Sequence, residues 1–228
     1  MKNNSFDAVI LAAGKGSRYK SLKPKQYTKI NNKNLIDIAV EKILKMKEIN
    51  NIFIVVDNKK SYSIPSESTN LFLINGGSTR TKSVYNALQF MSTIKNLSKN
   101  VLIHDAARPC VSLEDMKKII YYSRNSTTGI SPGYPLTNAL KRVNKNSIVI
   151  DNLKRNNLYM SFTPQAYNFS KLLDAYNVII DKKIQVDDEI EAMAQLNYKV
   201  KIIRTSIDNI KLTYIDDLNV IQRLMNKK

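Results

Sequence analysis

The 228-residue sequence has a single cysteine, Cys110, a single histidine, His104, and no tryptophan. One cysteine excludes an intrachain disulfide and fits a reducing cytoplasm, which is the location we expect. No run of about 18 apolar residues occurs, so the sequence predicts no membrane-spanning helix. The first apolar run is short and passes directly into a glycine loop, a pattern that differs from that of a signal peptide.

Arginine is scarce although the chain is strongly basic. The formal net charge is +17, yet only 8 of the 36 basic residues are arginine. Because arginine offers a planar fork suited to phosphate, its few positions are informative. Arg18, Arg80, Arg108 and Arg155 all lie in segments that carry other functional signals.

The basic residues are dispersed along the chain, which is typical of a solvated basic surface. The alternative from a different functional class is a nucleic-acid-binding module. That alternative predicts salt-sensitive retention on DNA or RNA that survives Arg18→Ala. Because no recognition motif accompanies the lysines, we expect neither nucleic acid nor a membrane as a partner.

Apolar strand-like runs alternate with helical apolar periodicity through the first half of the chain. The strand-like runs are residues 8–11, 52–56, 71–74 and 101–103. Alternation of this kind predicts an α/β fold with a Rossmann-like, mostly parallel sheet and helices on both faces. No linker or internal repeat divides the sequence, so we expect a single domain over residues 1–228.

Glycine or charged clusters follow three of these predicted strands, at residues 12–18, 75–80 and 104–108. Ligands of open parallel sheets bind beyond the carboxyl ends of the strands. The first cluster, Gly14-Lys15-Gly16-Ser17-Arg18, can aim backbone N–H groups at an anion. It lacks the Gly-Lys-Ser/Thr ending of a P-loop and the third glycine of the dinucleotide fingerprint, so a purely structural turn is its alternative.

Residues 133–160 interrupt this alternation of strands and helices. Gly133 and Pro135 stand at the start of the segment. The runs 139–143 and 147–151 flank Asn144-Lys145-Asn146, which predicts a β-hairpin that projects as an arm.

Five motifs occur in order along nearly the whole chain. They are Leu11-Ala12-Ala13-Gly14-Lys15-Gly16-Ser17-Arg18 with Pro24-Lys25-Gln26-Tyr27; Gly76-Gly77-Ser78-Thr79-Arg80 with Ser83; His104-Asp105-Ala106-Ala107-Arg108-Pro109; Thr163-Pro164-Gln165; and Asp208-Asn209-Ile210-Lys211-Leu212-Thr213. Together they resemble the 2-C-methyl-D-erythritol 4-phosphate cytidylyltransferase family of the sugar-phosphate nucleotidyltransferases. The resemblance implies that an acceptor phosphate attacks the α-phosphorus of CTP and releases pyrophosphate, in the synthesis of isoprenoid precursors.

The resemblance also implies roles for particular residues. The catalytic group would be Arg18, Lys25, Arg155 and Lys211. CTP would be bound by Ala12, Ala13, Gly14, Lys15, Gly16, Gly76, Arg80, Ser83, Asp105 and Ala106. The small polyol phosphate that accepts the cytidylyl group would be bound by Arg108, Arg155, Thr163 and Lys211.

Asp105 is the candidate metal ligand, because Mg²⁺ takes one or two carboxylates and completes its shell with phosphate and water. The expected cofactor is therefore Mg²⁺ or another divalent cation. A ribose-binding role or a turn cap is the alternative for Asp105. We expect His104 to be a structural histidine, and Asp187-Asp188-Glu189 to favour a helix N-terminus rather than to bind metal.

In the family that the chain resembles, the arm crosses to a second subunit, which implies a homodimer in which Arg155 completes the neighbouring site. One departure from the family pattern bears on the acceptor. Ala139 stands where the family has a threonine that touches the acceptor phosphate, unless Thr137 substitutes for it. Ribitol 5-phosphate is therefore the alternative acceptor, and a catalytically inactive nucleotide-binding regulator is a third hypothesis.

Overall fold

The computed structural model describes residues 5–14, 16–19, 24–64 and 69–226. The strands are β1 Phe6–Ala12, β2 Lys29–Ile30, β3 Lys33–Asn34, β4 Ile49–Val56, β5 Leu71–Asn75, β6 Asn100–Asp105, β7 Gly129–Pro135, β8 Leu140–Val143, β9 Val149–Leu153, β10 Tyr159–Ser161, β11 Gln165–Asn168 and β12 Val200–Arg204. The α-helices are α1 Leu35–Leu44, α2 Arg80–Ser92, α3 Leu113–Ser123, α4 Phe169–Asp181, α5 Glu189–Ala194 and α6 Asp217–Asn226. The four strands expected in the first half of the chain are confirmed, with small extensions at their ends.

Eight of these strands form one sheet in the described part of the chain, in the order β10-β7-β11-β6-β1-β4-β5, with β12 paired to β7. Strands β5, β4, β1 and β6 run parallel to one another, and β12 runs parallel to β7. Strand β11 lies antiparallel between β6 and β7. The mostly parallel sheet is confirmed, whereas the antiparallel β11 was not predicted, because its four residues contain no apolar run.

Helices cover both faces of the sheet, as the sequence predicts. Ile10 of β1 packs in one buried cluster with Ile36 of α1 and Met116 of α3. Its neighbour Val9 points to the opposite face and packs in a second cluster with Leu88 of α2. Successive side chains of a strand alternate between faces, so a strand that is apolar at every position is buried on both sides.

The predicted arm is an antiparallel hairpin of β8 and β9. Its register pairs Leu140 with Leu153, and its strands begin one to two residues later than expected. Five apolar side chains on or beside it are exposed, with exposed fractions from 38% to 60%: Val143, Ile148, Val149, Ile150 and Leu153. In the described part of the chain, β8 and β9 form a two-stranded sheet of their own.

None of the helices in the described ranges has the length and apolar character that crossing a bilayer requires.

Candidate active site

The register of the sheet brings the carboxyl ends of four strands to one edge. Leu11 pairs with Asp105, Ala12 pairs with Val56, and Val56 pairs with Asn75. The loops that follow β1, β5 and β6 therefore meet around a single cleft. The lining residues that the sequence predicted are Ala12, Ala13, Gly14, Gly16, Arg18, Lys25, Arg80, Ser83, Asp105, Ala106 and Lys211.

Small residues shape the loop after β1. Gly76 packs directly against it, because a Cβ placed on Gly76 would lie 2.3 Å from the Cβ of Ala13. Gly16 has a φ of +65°, a left-handed conformation that glycine adopts without strain. A Cβ on Gly14 would meet nothing within 4 Å, so Gly14 opens onto the cleft. Lys15, a predicted CTP ligand, lies outside the described residues.

Gly14 distinguishes a ligand-binding loop from a purely structural turn. We expect Gly14→Ala to leave the thermal unfolding temperature unchanged, because its methyl group meets no protein atom and the φ of Gly14 is ordinary. If the loop amides hold the triphosphate, the same methyl group intrudes on the ligand and raises KM for CTP about tenfold or more. Unfolding scans and steady-state kinetics measure the two quantities on the same preparation.

Gly76→Ala is the matched comparison for this prediction. Its added methyl group collides with Ala13, and overpacking of this kind costs about 1–3 kcal/mol. An unchanged KM for CTP in Gly14→Ala would leave the structural turn as the better explanation of the loop.

Besides Arg80, three cations reach the cleft from different parts of the chain: Arg18, Lys25 and Lys211. Arg18 is exposed, whereas its neighbour Tyr19 is buried and anchors the short turn that carries both residues. Lys25 donates a hydrogen bond from Nζ to the carbonyl oxygen of Leu212, at 3.0 Å. The amide of Leu212 in turn donates to the carbonyl of Ala107 at 2.8 Å, which ties residues 211–213 to the loop after β6.

Asp105 is the acidic centre of the cleft. It is 6% exposed, and its Oδ2 lies 2.6 Å from Nζ of Lys211 while its Oδ1 lies 3.4 Å from Nη2 of Arg80. Burial alone would raise the pKa of this carboxyl, but Arg80, Lys211 and Arg108 hold it well below the ordinary range. Asp105 is therefore a carboxylate at every pH at which the protein is handled.

Lys25 has the opposite electrostatic environment. Burial, together with the positive charges of Lys211, Arg18 and Arg108, lowers the pKa of Lys25 to about 8, although Asp105 opposes the shift. The site thus holds more positive charge than its carboxylate balances. An anionic ligand such as a triphosphate relieves that imbalance.

The loop before α2 forms the wall opposite these cations. The hydroxyl of Ser83 accepts a hydrogen bond from the amide of Gly77 at 3.0 Å and donates one to the carbonyl of Thr79 at 2.9 Å. Thr79 also caps α2 through the amide of Lys82. The wall is thus fixed by its own hydrogen bonds, and Gly77, Ser78 and Thr79 line the cleft beside the predicted residues.

Two predicted acceptor ligands, Arg108 and Thr163, are not among the residues that line the cleft. Nη1 of Arg108 donates to the carbonyl of Asn209 at 2.7 Å, and its guanidinium lies 5.2 Å from the ring centre of Phe162. The hydroxyl of Thr163 accepts a hydrogen bond from the amide of Asp105 at 3.0 Å and lies 3.3 Å from Nδ1 of His104. Their predicted contact with the acceptor stays a prediction.

His104 is buried, as expected of a structural histidine. Burial lowers the pKa of His104 to about 3, so its imidazole is neutral. In the described part of the chain, Nδ1 of His104 can hydrogen-bond to the hydroxyl of Thr163, whereas Nε2 has no hydrogen-bond partner. The histidine therefore supports the backbone of Asp105 through Thr163 but is less fully hydrogen-bonded than we expected.

Arg155 lies on the arm rather than at the cleft. Its Nη1 donates to the carbonyl of Thr137 within the same arm, and the residue is exposed. Ala139, at the departure from the family pattern, is also exposed at the base of the arm. The role of Arg155 in a neighbouring site stays a prediction.

Glu189 is the site residue whose role the sequence did not reveal. It was assigned to the N-terminus of a helix together with Asp188, and Asp188 does cap α5 through the amides of Ile190 and Glu191. Glu189 itself is 0% exposed and binds Arg80. No local pattern separates it from the other acidic residues of the run, because its burial depends on the packing of α5 against α4.

Among the described residues, no group of three His, Cys, Asp or Glu side chains is positioned to hold a metal ion. A cation carried by the nucleotide needs only one protein carboxylate, and Asp105 fits that requirement. Each of its oxygens keeps lone-pair capacity beyond the single contact with Lys211 or Arg80.

The family model of IspD, 2-C-methyl-D-erythritol 4-phosphate cytidylyltransferase, matches residues 6–227. The chain belongs to this family. The enzyme of that name from Acinetobacter baylyi is 32% identical over 220 residues, covering 96% of this chain and 92% of the relative. The bifunctional enzyme IspD/IspF of Pelagibacter ubique is 35% identical over 211 residues, covering 92% of this chain and 55% of that longer protein.

The crystal structure of the Francisella tularensis 2-C-methyl-D-erythritol 4-phosphate cytidylyltransferase superposes with a TM-score of 0.83 at 30% identity. The alignment covers 96% of this chain and 99% of that structure. The fold, including its mixed sheet, is thus that of the IspD family, and the chain is a nucleotidyltransferase of the cytidylyltransferase type.

Proposed function

We propose that this protein transfers the cytidylyl group of CTP to 2-C-methyl-D-erythritol 4-phosphate and releases pyrophosphate, in isoprenoid precursor synthesis. The observation that carries the proposal is the convergence of Arg18, Lys25, Lys211 and Asp105 on one cleft beside the glycine loop. Family membership over residues 6–227 supports the same reaction.

The chemistry follows from this charge distribution. An oxygen of the acceptor phosphate attacks the α-phosphorus of CTP, a new P–O bond forms, and the bond to the β-phosphate breaks as pyrophosphate leaves. Negative charge is spread over the oxygens of the transferred phosphorus in the transition state. Lys25, held by the carbonyl of Leu212, and Lys211, held by Asp105, would stabilise that charge without having to reorganise at the moment of reaction. Arg18 adds a third positive charge at the cleft.

A divalent cation, Mg²⁺ or a similar ion, belongs to the proposed reaction as a partner of the triphosphate. When bound, such an ion neutralises phosphate charge and polarises the bond that breaks. Asp105 would hold it, because it is the one carboxylate among the described residues that line the cleft. Lys211 and Arg80 orient that carboxylate through contacts of 2.6 and 3.4 Å.

The proposal includes a homodimer, in the cytoplasm, formed through the arm. The apolar side chains of the arm are exposed in a single chain, and an exposed apolar hairpin is a surface that another copy can cover. Arg155 follows the end of β9 at Leu153 and donates to the carbonyl of Thr137 at the base of this hairpin, so an arm that reaches a second subunit would carry Arg155 toward the neighbouring cleft. Sedimentation analysis of the purified protein, with Ile150→Lys as the arm variant, tests this part of the proposal.

An acceptor screen tests the proposed reaction. Pyrophosphate release is measured at fixed CTP and Mg²⁺ with 2-C-methyl-D-erythritol 4-phosphate, with ribitol 5-phosphate and without acceptor. We expect release with the first acceptor. Ribitol 5-phosphate is the second candidate because Ala139 stands where a threonine is usual, and release with it alone would transfer the assignment to that acceptor.

A further inference from the structure

Glu189 is a carboxylate that the proposed chemistry leaves without a role. It is the first residue of α5, it is 0% exposed, and it does not line the cleft. The N-terminus of α5 is already capped by the side chain of Asp188. Removing a charge from water is costly unless a partner of opposite charge is held in good geometry, so the partners of Glu189 indicate what it does.

Both oxygens of Glu189 are bound to one guanidinium. Nη1 of Arg80 lies 2.7 Å from Oε1, and Nη2 lies 3.1 Å from Oε2. The hydroxyl of Tyr176 donates a third hydrogen bond to Oε1 at 3.2 Å. A two-point contact of this kind fixes the plane of the guanidinium as well as its position.

The far side of the same guanidinium faces the cleft. The side chain of Arg80 is 27% exposed, and its Nη2 is the group that lies 3.4 Å from Oδ1 of Asp105. The chain of contacts therefore runs from the buried carboxylate of Glu189 through Arg80 to Asp105 and on to Lys211. Glu189 also balances the charge of Arg80, so that Asp105 is paired chiefly with Lys211. Nζ of Lys211 lies 2.6 Å from the carboxylate of Asp105, whereas Nη2 of Arg80 lies 3.4 Å from it, which is 0.8 Å farther.

We propose that Glu189 is a positioning residue of the cytidylyl transfer, which holds Arg80 so that Asp105 and Lys211 keep the geometry of the reacting site. The inference rests on the proposed function and extends it to a residue that never touches substrate. Without Glu189 the guanidinium is free to turn fully onto Asp105 or onto the triphosphate, and the pairing of Asp105 with Lys211 is lost.

Glu189→Gln tests the role, because it keeps the shape of the side chain and removes its charge. We expect kcat to fall about 10- to 100-fold, as for other lost supporting contacts and misplacements of a reacting group. KM for CTP should not rise, because the released Arg80 still attracts an anionic nucleotide. Glu189→Gln should have no further effect on kcat in an Arg80→Gln background, because Glu189 acts only through Arg80.

Tyr176→Phe is the matched control. It removes a hydrogen bond from the same buried carboxylate and leaves the fork to Arg80 intact. We expect it to lower the thermal unfolding temperature while kcat stays within twofold of the wild type. Glu189→Asp is the second variant if the glutamine variant does not fold, because it keeps the buried charge but cannot reach both nitrogens in the same geometry.

The outcomes separate the two proposals. A folded Glu189→Gln or Glu189→Asp variant with the kcat of the wild type overturns the positioning role, whatever its unfolding temperature. A kcat loss of the same size in Tyr176→Phe overturns it as well, since the effect would then follow stability. If the wild-type enzyme itself releases no pyrophosphate with either acceptor, the proposed function fails and this inference fails with it.

Discussion

Replacing Lys25 with methionine is expected to lower kcat for pyrophosphate release by about 10²- to 10³-fold, the range found when one donor to a developing anion is removed. Lys25 lines the cleft beside Arg18, and its Nζ is held by the carbonyl of Leu212. Methionine has a similar length and flexibility but cannot stabilise phosphate charge. The comparison variant is Lys117→Met, which removes an exposed lysine of α3 that does not line the cleft.

The lowered pKa of Lys25 adds a pH signature to this prediction. Because the pKa of Lys25 is about 8, kcat/KM for CTP should fall as the pH rises through about 8. The parameter kcat/KM reports ionisations of the free enzyme. Lys25→Arg should retain measurable activity and lose this alkaline decline, since arginine keeps its proton at every accessible pH.

The same pKa determines how stability varies with pH. Between the folded-state pKa of about 8 and the ordinary value of 10.5, the unfolded chain binds more protons at Lys25 than the folded chain does. The contribution of Lys25 to stability therefore becomes more favourable as the pH rises through this window. Urea unfolding measures this at pH 7.5 and pH 10.5. Relative to Lys25→Met, the free energy of unfolding of the wild type should be higher at pH 10.5 than at pH 7.5. A constant difference, or an unchanged kcat, would contradict the placement of Lys25.

The location of the site could be predicted from the sequence because it depends on a general property of parallel sheets. Gly14, Arg80 and Asp105 follow strands whose carboxyl ends share one edge, and the structure brings all three to the same cleft. Apolar runs alone were sufficient to find those strands. The arm was predictable for a similar local reason, since two short strand-like runs, residues 139–143 and 147–151, flank Asn144-Lys145-Asn146.

Contacts between distant segments could not be predicted from local pattern. Lys211 reaches Asp105 because a backbone hydrogen bond joins Leu212 to Ala107, and only the resemblance to a family singled it out. Glu189 was assigned to a helix end because nothing in its neighbourhood reports that α5 buries it against Arg80. The hydroxyl of Thr163 accepts a hydrogen bond from the amide of Asp105, and no local pattern indicates this contact between distant segments, while the predicted acceptor contact of Thr163 stays a prediction.

The second large effect is expected for Asp105→Asn, which should lower turnover by about 10³-fold and destabilise the fold by on the order of 3 kcal/mol. The first figure is the upper range for a lost electrostatic contact in a preorganised site. The second is the lower end of the cost of removing one partner of a buried ion pair. We take the lower end because Lys211 and Arg80 retain exposed fractions of 31% and 27% and can reach water.

Asparagine keeps the size of Asp105 but leaves Lys211, Arg80, Arg108 and Lys25 without the carboxylate that they surround. The excess positive charge should bind CTP at least as tightly as before, so KM for CTP should stay level or fall while kcat is lost. An effect confined to kcat indicates an interaction made chiefly in the transition state. Asp174→Asn, which neutralises an exposed carboxylate of α4, is the control for the change in net charge.

The pH dependence of stability identifies the lost contribution as that of Asp105. Because its pKa is depressed in the folded state, Asp105 stabilises the wild type at all pH values above the ordinary value of 3.8. That stabilisation begins to be lost only as the pH falls below 3.8, when the unfolded chain takes up the proton first. The deficit of Asp105→Asn in urea unfolding should therefore be constant between pH 6 and pH 5, below the range in which Lys25 titrates, and shrink in stronger acid. A turnover within tenfold of the wild type, or a deficit that changes between pH 6 and pH 5, would show that the paired carboxylate is not the centre of this site.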